Sequence, residues 1–183
     1  IKLNQLKILD IGFGLGEDLL EMKKRGAITY GIDIDNRIIE LIKNKFPGDY
    51  PKVLAGNYER DINKFDIKFD LIYSLESFYY FDDEKFIKIV KNIKKYLSDN
   101  GKLIIQVIVG DYELKGDEYI FNPVIINSKG KLKNNDVIYR DRDFYVNILI
   151  NEGFNIIGEK LVEETFFVNK EALRKELYLC MEV

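Results

Sequence analysis

Apolar runs alternate with amphipathic segments along most of the chain. The apolar runs predict strands over residues 6–11, 28–34, 52–56, 69–75 and 102–109. Between them, apolar side chains recur every three or four positions, which predicts helices over 17–26, 35–46, 82–97 and 142–153. Strands that alternate with amphipathic helices are typical of βαβ units on a parallel sheet with helices on both faces.

Two further strands are predicted at the end of the chain, over residues 154–164 and 176–183. The link between them is short, which favours an antiparallel pair. The predicted fold is therefore α/β, a doubly wound and mostly parallel sheet of seven strands with a C-terminal antiparallel hairpin.

The alternation breaks at Gly110. Residues 111–143 are rich in charge and carry few apolar runs, so we interpret them as an insertion in a single domain spanning residues 1–183. Four aromatic residues make this segment a candidate lid or dimer contact, with a plain surface loop as the alternative: Tyr112, Tyr119, Phe121 and Tyr139.

Composition excludes several classes of function. The net charge of −3 argues against a nucleic-acid binder, and no apolar run is long enough to span a membrane. The single Cys180 permits no disulfide within the chain, and the lack of histidine excludes a zinc site of the usual type. No signal peptide opens the sequence, so we expect a reduced, cytoplasmic protein without a metal site. Any general base must be Asp, Glu, Tyr or Lys.

The first strand ends in a glycine-rich turn, with Gly12, Gly14 and Gly16 following Asp10 at every second position. Glycines allow positive φ and close approach of a ligand, and the N-terminus of the following helix offers free N–H groups. A dinucleotide fold has the spacing G-x-G-x-x-G instead. A carboxylate beside the turn also suits a cationic ligand better than a pyrophosphate, so a dinucleotide-dependent oxidoreductase is the weaker alternative.

Asp10, the three glycines and the sequence GIDID at the end of the second strand resemble the class I S-adenosylmethionine-dependent methyltransferases. The resemblance covers nearly the whole chain, including a last strand that inserts inside the sheet. It implies that the glycine turn passes under the methionine part of the cofactor, that Asp33 binds the ribose hydroxyls and that Ile34 packs on adenine. Asn57 replaces the acid that commonly receives the adenine amine, and its amide oxygen can accept the same hydrogen bond.

The resemblance thus assigns a cofactor site for S-adenosylmethionine, with S-adenosylhomocysteine as product. The assigned residues follow the first four strands: Asp10, Gly12, Phe13, Gly14, Gly16, Asp33, Ile34, Asn57, Tyr58 and Ser74.

Residues 74–81 are predicted to form the wall on which the methyl acceptor binds. Glu76 and Tyr79 are the candidate catalytic residues. Glu76 is placed to hold an ammonium group, to act as a base or to brace the cofactor, with a helix cap as the alternative. Tyr79 and Tyr80 are placed to pack on a cationic or ring-shaped acceptor, with core packing as the alternative.

The predicted activity is methyl transfer to a hydroxyl or amine of a small molecule, such as a sugar or an amino compound. A cofactor-binding or non-catalytic interaction module with the same fold is the second hypothesis. We expect a small-molecule acceptor as the partner, with no nucleic acid and no membrane. A homodimer or a fusion to another domain is possible, and abundant Ile, Asn and Lys suggest a bacterial source.

Overall fold

The computed structural model describes residues 3–45, 51–109, 140–168 and 170–183. Its strands are β1 (Lys7–Ile11), β2 (Ile28–Asp33), β3 (Lys52–Ala55), β4 (Phe69–Leu75), β5 (Leu97–Val109), β6 (Asn155–Val168) and β7 (Lys170–Glu182). Its α-helices are α1 (Glu17–Lys24), α2 (Asn36–Lys45), α3 (Tyr58–Asp61), α4 (Asp83–Tyr96) and α5 (Arg142–Asn151). Two 3-10 helices span Ile62–Phe65 and Phe78–Tyr80.

The seven strands form one sheet in the order β3-β2-β1-β4-β5-β7-β6. The strands from β3 to β5 are parallel, and β7 inserts antiparallel between β5 and β6. This arrangement confirms the predicted fold class, including the position of the last strand. The strand order reverses beside β1, and ligands of open α/β sheets bind at such a point, outside the carboxyl ends of the strands.

Two hydrophobic clusters cover the faces of the sheet. The larger packs α4 and α5 against β1, β4, β5 and β7, and includes Phe69, Phe86, Tyr145 and Leu177. The smaller contains Phe13, Leu19 and Ile42 from the glycine turn, α1 and α2. The helical periodicity of the sequence identifies these inward faces because the apolar side chains lie on one stripe of each helix.

The segment Ser98–Gly101 lies within β5, whereas the sequence predicts that this strand begins at residue 102. Leu97 pairs with Phe69 and Lys102 pairs with Leu71, so four residues of β5 bulge out within a continuous strand. A side-chain carbon at Gly101 would lie 2.9 Å from the carbonyl oxygens of Phe69 and Ser98. The bulge depends on this long-range pairing, which the local sequence does not encode.

The terminal hairpin is longer than predicted. β6 and β7 pair from Asn155 with Glu182 to Val168 with Lys170, with a shift in register between Ile156 and Gly158. β5 pairs with β7 only as far as Lys175. The last part of the hairpin therefore extends beyond the carboxyl end of β5.

The predicted insertion at 111–143 lies outside the described residues up to position 139, and so do its four aromatic residues. Arg140 is described, and it forms a parallel bridge with Val109 at the end of β5. Within the described ranges, no helix combines the length and apolar character that crossing a membrane requires.

Candidate active site

The glycine turn lies between the carboxyl end of β1 and the start of α1. Gly12, Gly14 and Gly16 all have positive φ, at 78°, 50° and 70°. The N–H of Gly12 donates to the carbonyl of Ile32 over 2.8 Å, which holds the turn against the end of β2. The left-handed conformation explains the choice of glycine at all three positions.

The three glycines differ in what surrounds them. A side-chain carbon at Gly12 would lie 2.0 Å from Ser77 Oγ, and one at Gly16 would lie 2.6 Å from Ile42 Cδ1. A side-chain carbon at Gly14 would meet nothing within 4 Å. Packing inside the protein therefore excludes a side chain at Gly12 most strongly, Gly16 lies against the mobile end of Ile42, and only Gly14 of the three presents a bare backbone to open space.

Asp33 ends β2 beside this open position. Its Oδ2 accepts a hydrogen bond from the Gly14 N–H over 3.2 Å, and its Oδ1 accepts one from the Asp35 N–H over 2.9 Å. The residue is 7% exposed. Asp35 accepts the N–H of Arg37 and so caps α2, which leaves Asp33 to brace the glycine turn.

Asp10 lies beneath the turn and is almost completely buried. Burial raises its pKa from 3.8 to about 8, Tyr73 opposes this rise, and the negative charges of Asp18 and Asp33 add to it. The buried hydroxyl of Tyr73 makes no hydrogen bond of ordinary geometry to the described residues. A cationic ligand beside Asp10 would restore the charged carboxylate.

Tyr58 and Ser77 border the glycine turn at Gly12. The Tyr58 hydroxyl lies 3.4 Å from the point that a side-chain carbon at Gly12 would occupy, and its ring packs edge-on against Phe81. Burial and the charges of Asp33 and Asp10 raise the pKa of Tyr58 above its usual range. Ser77 is the residue that sequence reasoning missed, because only the fold brings it against the turn.

Three of the assigned cofactor residues differ in exposure. Ile34 is 73% exposed directly after the buried Asp33, so its apolar side chain is available to a ligand. Phe13 is buried in the core against Gly31, and only its main chain lies in the turn. Ser74 is buried, and its hydroxyl donates to the Ile11 carbonyl over 3.0 Å, which ties β4 to β1.

Asn57 is the N-cap of α3. Its side-chain oxygen accepts the N–H of Glu59 over 2.8 Å, which leaves one of its two lone-pair directions for another donor. Its own N–H donates to Asp61, a buried carboxylate that also pairs with Arg60 and Lys64. These contacts lower the pKa of Asp61 and fix the loop that carries Asn57.

The predicted acceptor wall follows β4. Glu76 is exposed at the end of that strand, has a φ of 57° and donates its N–H to the Gln106 carbonyl over 3.1 Å. Left-handed backbone at a glutamate is strained, and such strain concentrates at functional positions. Tyr79 is 6% exposed and Tyr80 is 49% exposed, so the second tyrosine presents more of its ring to a ligand.

The structure therefore gathers the assigned residues at the carboxyl ends of β1, β2, β3 and β4. Residues 2–155 match the family model described as methyltransferase domain. The chain belongs to this family. Membership confirms the resemblance drawn from the sequence, and it confirms S-adenosylmethionine as the cofactor.

Curated relatives of this methyltransferase domain act on different atoms. A phosphoethanolamine N-methyltransferase from Plasmodium falciparum is 33% identical over 107 residues, which are 57% of this chain and 40% of that protein. A ubiquinone biosynthesis O-methyltransferase from Coxiella burnetii is 30% identical over 131 residues, which are 67% of this chain and 54% of that protein. The matched region is therefore about half the length of these relatives.

A solved structure shares the fold at low sequence identity. It is the magnesium protoporphyrin IX methyltransferase of Synechocystis with bound S-adenosylhomocysteine, which is 16% identical and aligns with a TM-score of 0.70. The alignment covers 98% of this chain and 74% of that one.

The residues of the site fit a positively charged nucleoside cofactor. Gly14 leaves room for close approach to the backbone, and the adjacent Asp33 and Asp10 supply two carboxyl groups within a buried environment. Ile34 offers an exposed apolar surface of the kind on which an adenine ring packs.

Proposed function

We propose that the protein transfers a methyl group from S-adenosylmethionine to a hydroxyl or amine of a small-molecule acceptor. The observation that carries this proposal is the open face at Gly14, bounded by the carboxyl group of Asp33 and by the exposed Ile34. When bound, S-adenosylmethionine would supply a methyl group activated by its sulfonium: the lone pair of the acceptor would bond to the methyl carbon while the carbon–sulfur bond breaks, and S-adenosylhomocysteine would leave.

The proposed binding roles follow from position. Asp33 Oδ1 and Oδ2 each accept one backbone N–H, and each carboxylate oxygen has a second lone pair for a ribose hydroxyl. Asp10 provides negative charge beneath the turn, where a cation favours its ionised form. Ile34 and Asn57 are proposed to contact the adenine, and Phe13 contributes main-chain groups only.

The proposed catalytic role of Glu76 is to orient the acceptor and to take a proton from an acceptor hydroxyl. The chain contains no histidine, so a carboxylate at the end of β4 is the best-placed base. An amine acceptor needs only to arrive deprotonated, in which case Glu76 would position it. Tyr79 and Tyr80 are proposed to form the wall, with Tyr80 in contact with the acceptor.

The acceptor class is supported by the relatives, one of which is an N-methyltransferase and another an O-methyltransferase. We therefore retain both hydroxyl and amine acceptors in the proposal. We also retain a cytoplasmic location, a bacterial source and a possible homodimer, each of which rests on the sequence alone.

Calorimetric titration with S-adenosylhomocysteine, with NADH as the comparison ligand, tests whether the protein binds the proposed cofactor. Saturable binding of S-adenosylhomocysteine and none of NADH supports the proposal, and the reverse result contradicts it. Transfer of radiolabelled methyl to phosphoethanolamine, ethanolamine and phenolic acceptors then tests turnover. Cofactor binding with no transfer to any acceptor of these classes would favour the second hypothesis, a non-catalytic module.

A further inference from the structure

Arg140 has a buried hydrogen-bond donor that the described residues leave unused. Its side chain is 7% exposed, and its Nε and Nη2 donate to Asp83 Oδ1 over 2.9 and 2.6 Å. Nη2 also donates to the Phe81 carbonyl over 2.7 Å. Nη1 is buried and has no hydrogen-bond acceptor among the described residues.

Tyr145 supplies a second unused donor beside the first. Tyr145 is fully buried, and its hydroxyl makes no hydrogen bond of ordinary geometry within the part of the chain that is described. Burial raises the pKa of Tyr145, and the nearby Arg140 opposes the rise. Its ring packs edge-on against Phe86 with a centroid distance of 5.4 Å.

The two donors lie close to the carboxyl end of β5. Arg140 bridges Val109, the last residue of β5, and its contact with Phe81 reaches the end of the predicted acceptor wall. Phe81 packs in turn against Tyr58, whose hydroxyl borders the glycine turn. A continuous line of contacts thus links Arg140 to the proposed cofactor site.

The first turns of α4 and α5 meet at this point. The ring of Phe86 contacts Phe144 and Tyr145, and the guanidinium of Arg140 lies 4.4 Å from the centroid of the Phe144 ring. Both helices direct their N-termini, which carry partial positive charge, towards the region around Arg140.

The carboxylates of this region are already engaged. Asp82 and Asp141 accept backbone N–H groups as the N-caps of α4 and α5. Asp143 pairs with Arg142, and Asp83 pairs with Arg140. Asp83 remains 61% exposed, so water screens its charge.

We propose that Arg140 Nη1 and the Tyr145 hydroxyl bind an anionic oxygen, from a phosphate or a carboxylate, on the methyl acceptor. This inference rests on the proposed methyl transfer. A buried donor without a partner destabilises the fold, and a guanidinium with a phenol hydroxyl is well suited to an oxyanion. The site would hold the acceptor by its charged end and leave its hydroxyl or amine at the end of β4.

The test measures binding of inorganic phosphate, acetate and neutral acetamide to the protein saturated with S-adenosylhomocysteine. Calorimetry on the wild type is compared with Arg140→Gln, Tyr145→Phe and the control Arg142→Gln, which removes an exposed arginine two positions away. We expect saturable binding of phosphate or acetate, no binding of acetamide, and at least tenfold weaker oxyanion binding in Arg140→Gln. Tyr145→Phe keeps the ring packing and should weaken binding several-fold, while Arg142→Gln should bind as the wild type does.

Each contrary result has a separate meaning. If acetamide binds as well as acetate, or if Arg140→Gln and Tyr145→Phe both bind the oxyanions as the wild type does, the oxyanion site is wrong. Should Arg140→Gln unfold, Tyr145→Phe alone decides the outcome. Wild-type protein that fails to bind S-adenosylhomocysteine contradicts the proposed methyl transfer instead. Stronger binding of phosphate than of acetate would identify the acceptor as a phosphate ester, and the opposite order as a carboxylate.

Discussion

The carboxylate of Asp33 accepts the backbone N–H of Gly14 over 3.2 Å. The acid at the end of β2 therefore braces the one glycine of the turn that faces open space. This contact couples the glycine turn to the acid at the end of the second strand, because a ligand that binds Asp33 also stabilises the conformation of the turn.

Asp33→Ala is expected to lower the affinity for S-adenosylhomocysteine by about 10- to 100-fold. A hydrogen bond to a charged acceptor contributes about 1.5–3 kcal/mol, and this variant also releases the Gly14 N–H. Calorimetric titration measures the loss. Asp35→Ala is the matched control, since it removes the neighbouring carboxylate that caps α2 and should cost about 1 kcal/mol of stability with little change in affinity. Equal affinity in Asp33→Ala and the wild type would contradict the ribose assignment.

Alanine at Gly12 is expected mainly to destabilise the fold, and alanine at Gly14 mainly to weaken cofactor binding. Gly12→Ala places a carbon 2.0 Å from Ser77 Oγ, so it should destabilise the fold strongly. Gly14→Ala meets no protein atom, should cost about 1–2 kcal/mol for the left-handed backbone, and should reduce cofactor affinity.

Urea unfolding and calorimetry separate these two effects. Adding Ser77→Gly to Gly12→Ala should restore part of the lost stability, because it removes the colliding atoms. A Gly14→Ala variant that binds S-adenosylhomocysteine as the wild type does would show that the open face is not the cofactor site.

Asp10→Asn is expected to change how stability depends on pH. A folded pKa of about 8, above the usual 3.8, means that the unfolded state loses the proton first as pH rises. Wild-type stability should therefore fall between pH 4 and pH 8, with a slope approaching about 1.4 kcal/mol per pH unit. Asp10→Asn removes this loss. The difference between the free energy of unfolding of Asp10→Asn and that of the wild type, measured in urea, should therefore grow in favour of the variant from pH 5 to pH 8. Parallel pH profiles of the two proteins would show that Asp10 is ionised in the folded state.

Glu76→Gly is expected to increase stability and to reduce turnover. Glycine relieves the strain of a φ of 57°, which costs about 1–2 kcal/mol in other residues, and it removes the carboxylate. Asp66→Gly is the matched control, because Asp66 has a φ of 49° away from the site and should gain stability without losing activity.

Glu76→Gln keeps the backbone strain and removes only the charge. It should reduce kcat more than the affinity for S-adenosylhomocysteine. Full activity in Glu76→Gln would leave Glu76 with a structural role alone.

Local pattern determined much of the fold. Apolar runs and helical periodicity identify β1 to β5, α1, α2, α4 and α5, because burial on one face must match the period of each element. Asp35 as a helix cap and the glycine turn after Asp10 are also local, since each depends on hydrogen bonds or backbone angles within a few residues.

Which residues of the site are exposed could be learned only from the tertiary structure. Phe13 turns into the core, Ser74 binds the Ile11 carbonyl, and Tyr79 is buried where Tyr80 is exposed. A sequence places these residues on the right segment, but the packing of neighbouring strands decides which side of that segment faces a ligand.

The sequence by itself determined the class of fold, the cofactor motif and the order of the elements, because each is encoded by residues close together in the chain. Only the tertiary structure decided the bulge after Leu97, the contact of Ser77 with Gly12 and the position of Arg140. Arg140 and Asp83 are 57 positions apart, and no local signal records their pairing. Such contacts form when strands align, so their partners become known only in the folded chain.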